Sequence, residues 1–170
     1  LCQKARLILS TVGPYAMYGE ELVKACAETG TDYCDITGET HWLKEMLVKY
    51  DSLAQRTGAR LVSCCAFDSI PSDLGVYFLQ KESKNKYASL LPNIKMRVAA
   101  VRGGVSGGTV ASILGFMDAF RDNSVVRRES MDPYQLCQER PKRPMGKQRF
   151  PFPRYDSEFK SWTTPFVMEA

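Results

Sequence analysis

The feature that most constrains this chain is an alternation of two hydrophobic periods across its first 82 residues. Short apolar, β-branched runs take turns with segments whose apolar residues recur every three or four positions. Residues 5–12 (ARLILSTV) read as a buried strand closed by Gly13-Pro14. Residues 20–29 place Leu22, Val23, Cys26 and Ala27 on one helical face, with Gly30 as the stop. Residues 32–37 (DYCDIT) form a short strand before Gly38. Residues 40–56 make the longest periodic segment. Trp42, Met46, Tyr50 and Leu53 line one stripe there, Leu43, Leu47 and Ala54 flank it, and Gly58 ends it. Residues 59–65 (ARLVSCC) read as a third strand. After the turn FDSIP, residues 72–81 read as a third helix, with Pro71 near its start and Ser69 or Ser72 as caps.

Strand, helix, strand, helix, strand, helix with short connections is the pattern of βαβ units on a parallel sheet, which sets the class as α/β. Such sheets hold ligands outside the carboxyl ends of their strands. That rule directs attention to three loops, at 13–19, 38–41 and 66–72.

The pattern changes over the polar stretch 81–92, read as a domain boundary with residues 83–92 as linker. Residues 94–101 then alternate apolar and basic side chains like a strand. GGVSGGT (103–109) is a Gly-rich turn leading into a helix over 110–121. From Asn123 onward the pattern weakens. Five of the nine prolines fall between 133 and 153, so that segment is expected to be irregular.

At 44% hydrophobic and 25% charged, the 170 residues have the composition of a folded domain. The longest uncharged stretch, residues 103–117, and residues 7–19 with their Gly-Pro pair both fall short of the roughly 20 apolar residues a membrane helix needs. The opening Leu-Cys-Gln-Lys has no initiator Met and no signal-peptide pattern, so the chain reads as an excerpt, and the expectation of an intracellular compartment rests on its cysteines. The net charge of +4 is unevenly spread. Six basic residues and no acid lie between 140 and 154, and the remainder is net acidic. Nucleic-acid binders spread basic residues over a folded face. This Pro-rich stretch, with Phe150, Phe152 and Tyr155, is read as a solvated connection, and no nucleic-acid partner is expected. The six cysteines form no C-x-x-C, and the single histidine, His41, is near none of them, so no metal site is expected and reduced thiols are the economical reading.

Several motifs invite chemistry. GGVSGG lacks the Lys of a phosphate loop, since Thr109 stands in its place, and is read as a tight turn. Tyr77 and Lys81 form Y-x-x-x-K, a spacing that chance supplies readily, and are read as an ordinary helix face. His41, beside Glu39, could serve as a general base, but the preferred reading is a helix-start residue with a wet ring. Cys64 and Cys65 have no neighbouring cation to stabilise a thiolate and are read as structural. Asp68 and Asp73 flank the turn FDSIPSD. On spacing alone, a ligand-holding pair at a strand end and a helix-capping pair stand level.

Taken together, STVGPYAMYGEELVKACAETGTDYCDITGE (10–39), SCCAFDSIPSDLGVY (63–77) and GGVSGGT with its following Ser closely resemble the saccharopine dehydrogenase-like oxidoreductases, including the trans-acting enoyl reductases. The resemblance covers about residues 5 to 121. It implies the C-terminal part of a Rossmann-type NAD(P)-binding domain at 1–82, followed by the start of an α+β second domain at 93–170. It also implies that the chain begins after the Gly-rich turn that holds the dinucleotide's phosphates, so the choice of NADP or NAD lies outside it. By resemblance, Val12, Gly13, Pro14 and Tyr15 lie along the cofactor, which agrees with the close backbone approach that Gly13 permits. Phe67, Asp68, Ser69 and Pro71 line the nicotinamide and substrate side. Asp68 is the leading candidate for an orienting or proton-handling carboxylate, with Tyr18 and His41 behind it.

The expected function is hydride transfer to a C=C or C=N bond of a lipid-like or amino-acid-like small molecule. Hydride transfer asks a protein mainly for positioning, so few titratable groups are needed. The alternative is a non-catalytic Rossmann scaffold associated with lipid droplets or membranes. The resemblance also allows a homodimer, and a cytoplasmic, mitochondrial or lipid-droplet location.

Overall fold

In a computed structural model, the structure describes residues 1–100, 102–104, 106–132, 134–137 and 152–164. Its centre is a three-stranded parallel sheet in the order β1 (Leu7–Ser10), β2 (Asp32–Asp35), β3 (Leu61–Val62). Ile8 pairs with Tyr33 and Ser10 with Asp35, while Tyr33 and Cys34 pair with Leu61 and Val62. Two helices make the crossovers, α2 (Glu20–Thr29) and α3 (Thr40–Thr57), preceded by the one-turn α1 (Tyr15–Tyr18). Crossovers of one hand between successive neighbours put both helices on the same face. There α2 and α3 pack on each other, and the core forms where Tyr15, Val23, Cys26, Tyr33, Trp42 and Met46 meet Ile8, Leu22, Tyr50 and Leu61. The apolar stripes read from the sequence are the ones buried. Both helices end as expected, on Gly30 and Gly58 in the left-handed region at φ 71° and 82°.

The expected buried strand at 5–12 is half exposed. Ile8 and Ser10 face the helices, whereas Leu7 and Leu9 point the other way and are 53% and 63% exposed. A continuous apolar run signals burial on both faces, and the helical layer here covers one.

Helix α4 (Ile70–Tyr87) runs longer than the 72–81 expected, so the polar stretch taken for a linker begins inside it. Its charged residues are good helix formers, and Ser83 and Gln80 bind the backbone of Ser89 and Leu91 to hold the C-terminal turn. Ser69 stands at the N-cap but makes no side-chain cap bond, while Ser72 donates to the Ser69 carbonyl. The expected strand at 94–101 is not formed over its described residues, 94–100, where no ladder partner is found among the described residues. Its basic residues instead reach a hairpin the sequence reading did not anticipate, β4 (Arg154–Asp156) with β5 (Ser161–Thr163). Arg97 donates to the buried Asp156 at 2.6 Å and lies over the Phe159 ring, and Lys95 pairs with Glu158. Residues 138–151, which hold most of the basic Pro-rich stretch, lie outside the described residues.

Helix α5 (Gly107–Asp122) starts earlier than expected because Ser106 caps it, accepting from the Thr109 N–H. A further helix, α6 (Ser124–Ser130), is capped by Asn123, and its absence from the sequence reading reflects its brevity. The pair docks on the start of α3 through Lys44–Glu129 (2.6 Å), Gln135 donating to Thr40 (3.0 Å), and the His41 and Phe116 rings 5.7 Å apart. This puts α5 over the carboxyl ends of β1 and β2, where the loops named above converge.

Candidate functional site

The loop after β1 folds into α1 around Tyr15. Its ring is buried against Trp42, at 5.7 Å, and its hydroxyl donates to the Ser10 carbonyl at 3.0 Å. Burial pushes the phenol's pKa up. Tyr15 thus offers packing on its ring side, while Val12 and Tyr18 are exposed and Gly13 and Pro14 are partly so. The N–H groups of Tyr15 and Ala16 each donate at 2.9 Å to the two carboxylate oxygens of Glu39. A carboxylate at a helix start satisfies amides that would otherwise lack partners.

The loop after β2 is organised by two buried acids. Asp35 is fully buried and accepts from the Thr37 N–H (3.1 Å), the Cys64 N–H (3.0 Å) and the Ser63 hydroxyl (3.0 Å). Its carboxylate therefore clamps the ends of β2 and β3 together and fixes Cys64 in the left-handed region at φ 59°. Glu39, 7% exposed, holds the first loop, and its own N–H donates to Thr37 Oγ1. Neither acid was singled out in the sequence, although both stand in DITGE, at the end of a strand. Carboxylates at such a junction were the available signal.

The loop after β3 carries Phe67, Asp68, Ser69 and Pro71. Phe67 is 59% exposed, and Pro71 is exposed in the first turn of α4. Asp68 is partly buried, its Oδ1 has no hydrogen-bond partner among the described residues, and its carboxylate faces Gly38. Burial raises its pKa, partly opposed by its own N–H and that of Ser69. The Cys64 thiol is pushed up to about 11 by burial, with Asp35 and Asp68 adding to the effect, so it is no poised nucleophile. All six cysteines are free thiols.

His41 departs from the wet ring expected of it. It is half-buried beside Phe116, and its buried Nδ1 has no hydrogen-bond partner among the described residues. Burial lowers its pKa below the ordinary 6.5, with Glu39 and Glu45 pulling the other way. A depressed folded-state value means the folded form resists protonation. Its contribution to stability is therefore present above about pH 6.5 and lost as pH falls through the folded value. We expect a melting temperature that declines on acidification below pH 6.5 with a shallower slope in His41→Gln, measured by thermal melts between pH 4.5 and 8. Identical slopes would count against it. The structure records no hydrogen bond among Tyr18, His41 and Asp68.

Among the described residues, no three His, Cys, Asp or Glu side chains gather as metal ligands, and no helix is long and apolar enough to cross a membrane. A depression of about 440 Å³ lined by Cys2, Arg6, Asp32 and Arg60 lies at the amino ends of the strands, opposite the converging loops.

The chain is similar to the protein named trans-acting enoyl reductase of Mycobacterium bovis, with 41% identity over 142 residues, covering 82% of this chain and 34% of the relative. Its namesake in Mycobacterium tuberculosis matches to the same extent. That of Mycobacterium ulcerans is 40% identical over 146 residues, 85% of this chain and 35% of the relative. The chain thus spans about a third of the length of the curated relatives it matches. No family model matches it. No solved structure matches it either.

Proposed function

We propose that this chain is part of a trans-acting enoyl reductase of saccharopine dehydrogenase-like, Rossmann-type build, which uses NADP or NAD to reduce a C=C bond of a lipid-like substrate. The observation that carries this reading is the 41% identity over 82% of the chain to proteins of that name. The parallel sheet adds support, because its strand ends bring together loops of the kind that hold ligands in α/β proteins.

The residues present fit the nicotinamide end of such a cofactor. The turn at Val12, Gly13 and Pro14 is accessible, the Phe67 ring is exposed, and Asp68 Oδ1 is a buried acceptor in need of a partner. They do not fit its pyrophosphate, since the Tyr15 and Ala16 N–H groups are taken by Glu39. When bound, a nicotinamide supplies the hydride. Reduction of a C=C bond conjugated to a carbonyl also needs a proton at the neighbouring carbon, and Asp68 is the group here suited to hold it. Its burial favours the protonated acid, and its unpartnered oxygen leaves it available. Ser69 and Pro71 set the direction of the Asp68 loop by starting α4.

Titration of the full-length polypeptide with NADPH and NADH, followed by nucleotide fluorescence, is expected to show binding of at least one. Binding of neither at millimolar concentration overturns the reading. In the active protein, Asp68→Asn is expected to lower kcat by about 10²-fold or more. Because the acid form works, wild-type kcat should fall as pH rises through the raised Asp68 value, and that limb should vanish in the variant. An unchanged kcat assigns the proton elsewhere. A non-catalytic scaffold is the second reading, favoured by the apolar stripe Val110, Ile113, Leu114 and Met117 left exposed along α5. The same titration separates the two.

A further inference from the structure

Glu39 has a third partner. Besides the two backbone N–H groups it receives, its Oε1 accepts from the Ser112 hydroxyl at 2.7 Å, across 73 residues of chain. Ser112 lies in the second turn of α5, and α5 crosses the turn after β1 closely. A Cβ added to Gly13 would sit 3.5 Å from Ser112 Oγ, and one added to Gly108 would sit 3.8 Å from the Gly13 carbonyl. One buried carboxylate therefore joins a helix contributed by the later part of the chain to the Val12–Tyr15 turn.

We propose that Glu39 is a positioning residue through which docking of α5 holds the turn after β1 in shape. Hydrogen bonds to a buried charge are short, directional and costly to leave unmade. With Ser112 in place, all the partners of Glu39 point one way and its side chain is fixed. Without Ser112, Oε1 is relieved of one donor and the carboxylate can rotate away from the amides it caps. The contacts of α3 with α5 and α6, at His41–Phe116 and Lys44–Glu129, bring Ser112 to this spot but do not touch the turn. The bond thus ties α5 directly to the carboxylate that caps the turn. Its catalytic consequence rests on the reductase reading, because it is there that Gly13 and Pro14 border the nicotinamide. The coupling itself does not depend on that reading.

The test is amide hydrogen exchange on the full-length polypeptide, comparing wild type with Ser112→Ala and Ser112→Thr. Alanine removes the hydroxyl and leaves both Glu39–amide bonds chemically possible. The Tyr15 and Ala16 amides should then exchange about tenfold faster. The Val23 amide, bonded to the carbonyl of Gly19 at the start of α2, should keep its wild-type rate. Threonine retains the hydroxyl and should restore protection. Unchanged exchange at Tyr15 and Ala16 in the alanine variant overturns the proposal. So does equal acceleration at Val23, which would mean general loosening. In the active protein, Ser112→Ala should raise the KM for the nucleotide about fivefold with kcat nearly unchanged, and threonine should reverse it. Faster amides with an unaltered KM overturn the catalytic half alone. If wild type binds no nicotinamide nucleotide, the reductase reading falls while the exchange comparison still decides the coupling.

Discussion

Asp35→Ala is expected to lower the unfolding free energy by at least about 3 kcal/mol, because it strands two backbone N–H groups and a hydroxyl at roughly 1–3 kcal/mol each. The donors are those of Thr37, Cys64 and Ser63, and the carboxylate that receives them is fully buried. A further effect points the same way. Cys64 stands at φ 59°, a conformation that a residue with a Cβ leaves once its surroundings cease to impose it. The Cys65 N–H bonds the Asp35 carbonyl at 2.7 Å, so slackening at Cys64 weakens the last rung between β2 and β3. Asp35→Asn preserves the shape and one good acceptor, and should cost about 1 kcal/mol. Urea melts of the two variants would decide the matter. A melt of the alanine variant within about 1 kcal/mol of wild type would show that the strand ends are not held by this clamp.

The second large effect is steric. Gly19 joins α1 to α2 with ordinary helical angles, φ −84° and ψ −31°, so its backbone gives no reason for glycine. In an exposed helix, alanine would be better by about 1 kcal/mol. Here a Cβ would lie 2.6 Å from a Trp42 ring carbon and 2.8 Å from the Tyr15 carbonyl oxygen. The ring is locked in the core against Tyr15, and the carbonyl is backbone, so neither yields cheaply. Overpacking should win, and Gly19→Ala is expected to lower stability by about 2–3 kcal/mol. Because Trp42 is the neighbour displaced, Trp42→Phe should recover part of the loss in a double-mutant cycle. A neutral or stabilising Gly19→Ala in thermal melts would contradict the tight approach of α1 to α3.

The strand and helix pattern was legible because each element carries its own period. The stripe Trp42, Met46 and Tyr50 and the glycine stops at 30 and 58 are local signals, and the observed α2 and α3 obey them. The turn FDSIPSD was legible as a loop at a strand's carboxyl end, which is where α/β sheets gather ligands. What the sequence reading missed was assigned by partners far away in the chain. Residues 94–100 have a strand's alternation but no neighbouring strand among the described residues, and Arg97 answers Asp156 in the hairpin. The ring of His41 was expected to be wet, and it is half-buried because Phe116 arrives from α5, 75 positions later.

The same division runs through the candidate site. Hydrophobic period, turn residues and the order of the loops belong to the sequence, because they depend on neighbours a few positions apart. By itself, the sequence determined an α/β chain with parallel strands and three loops on one edge. Asp35, Glu39 and Ser112 are ordinary polar residues in that reading. Only the tertiary structure made Asp35 and Glu39 buried carboxylates and Ser112 the distant partner of Glu39. A buried charge must find donors wherever the fold brings them, and for Glu39 it brought them from a turn 23 and 24 positions before it and a helix 73 positions after it.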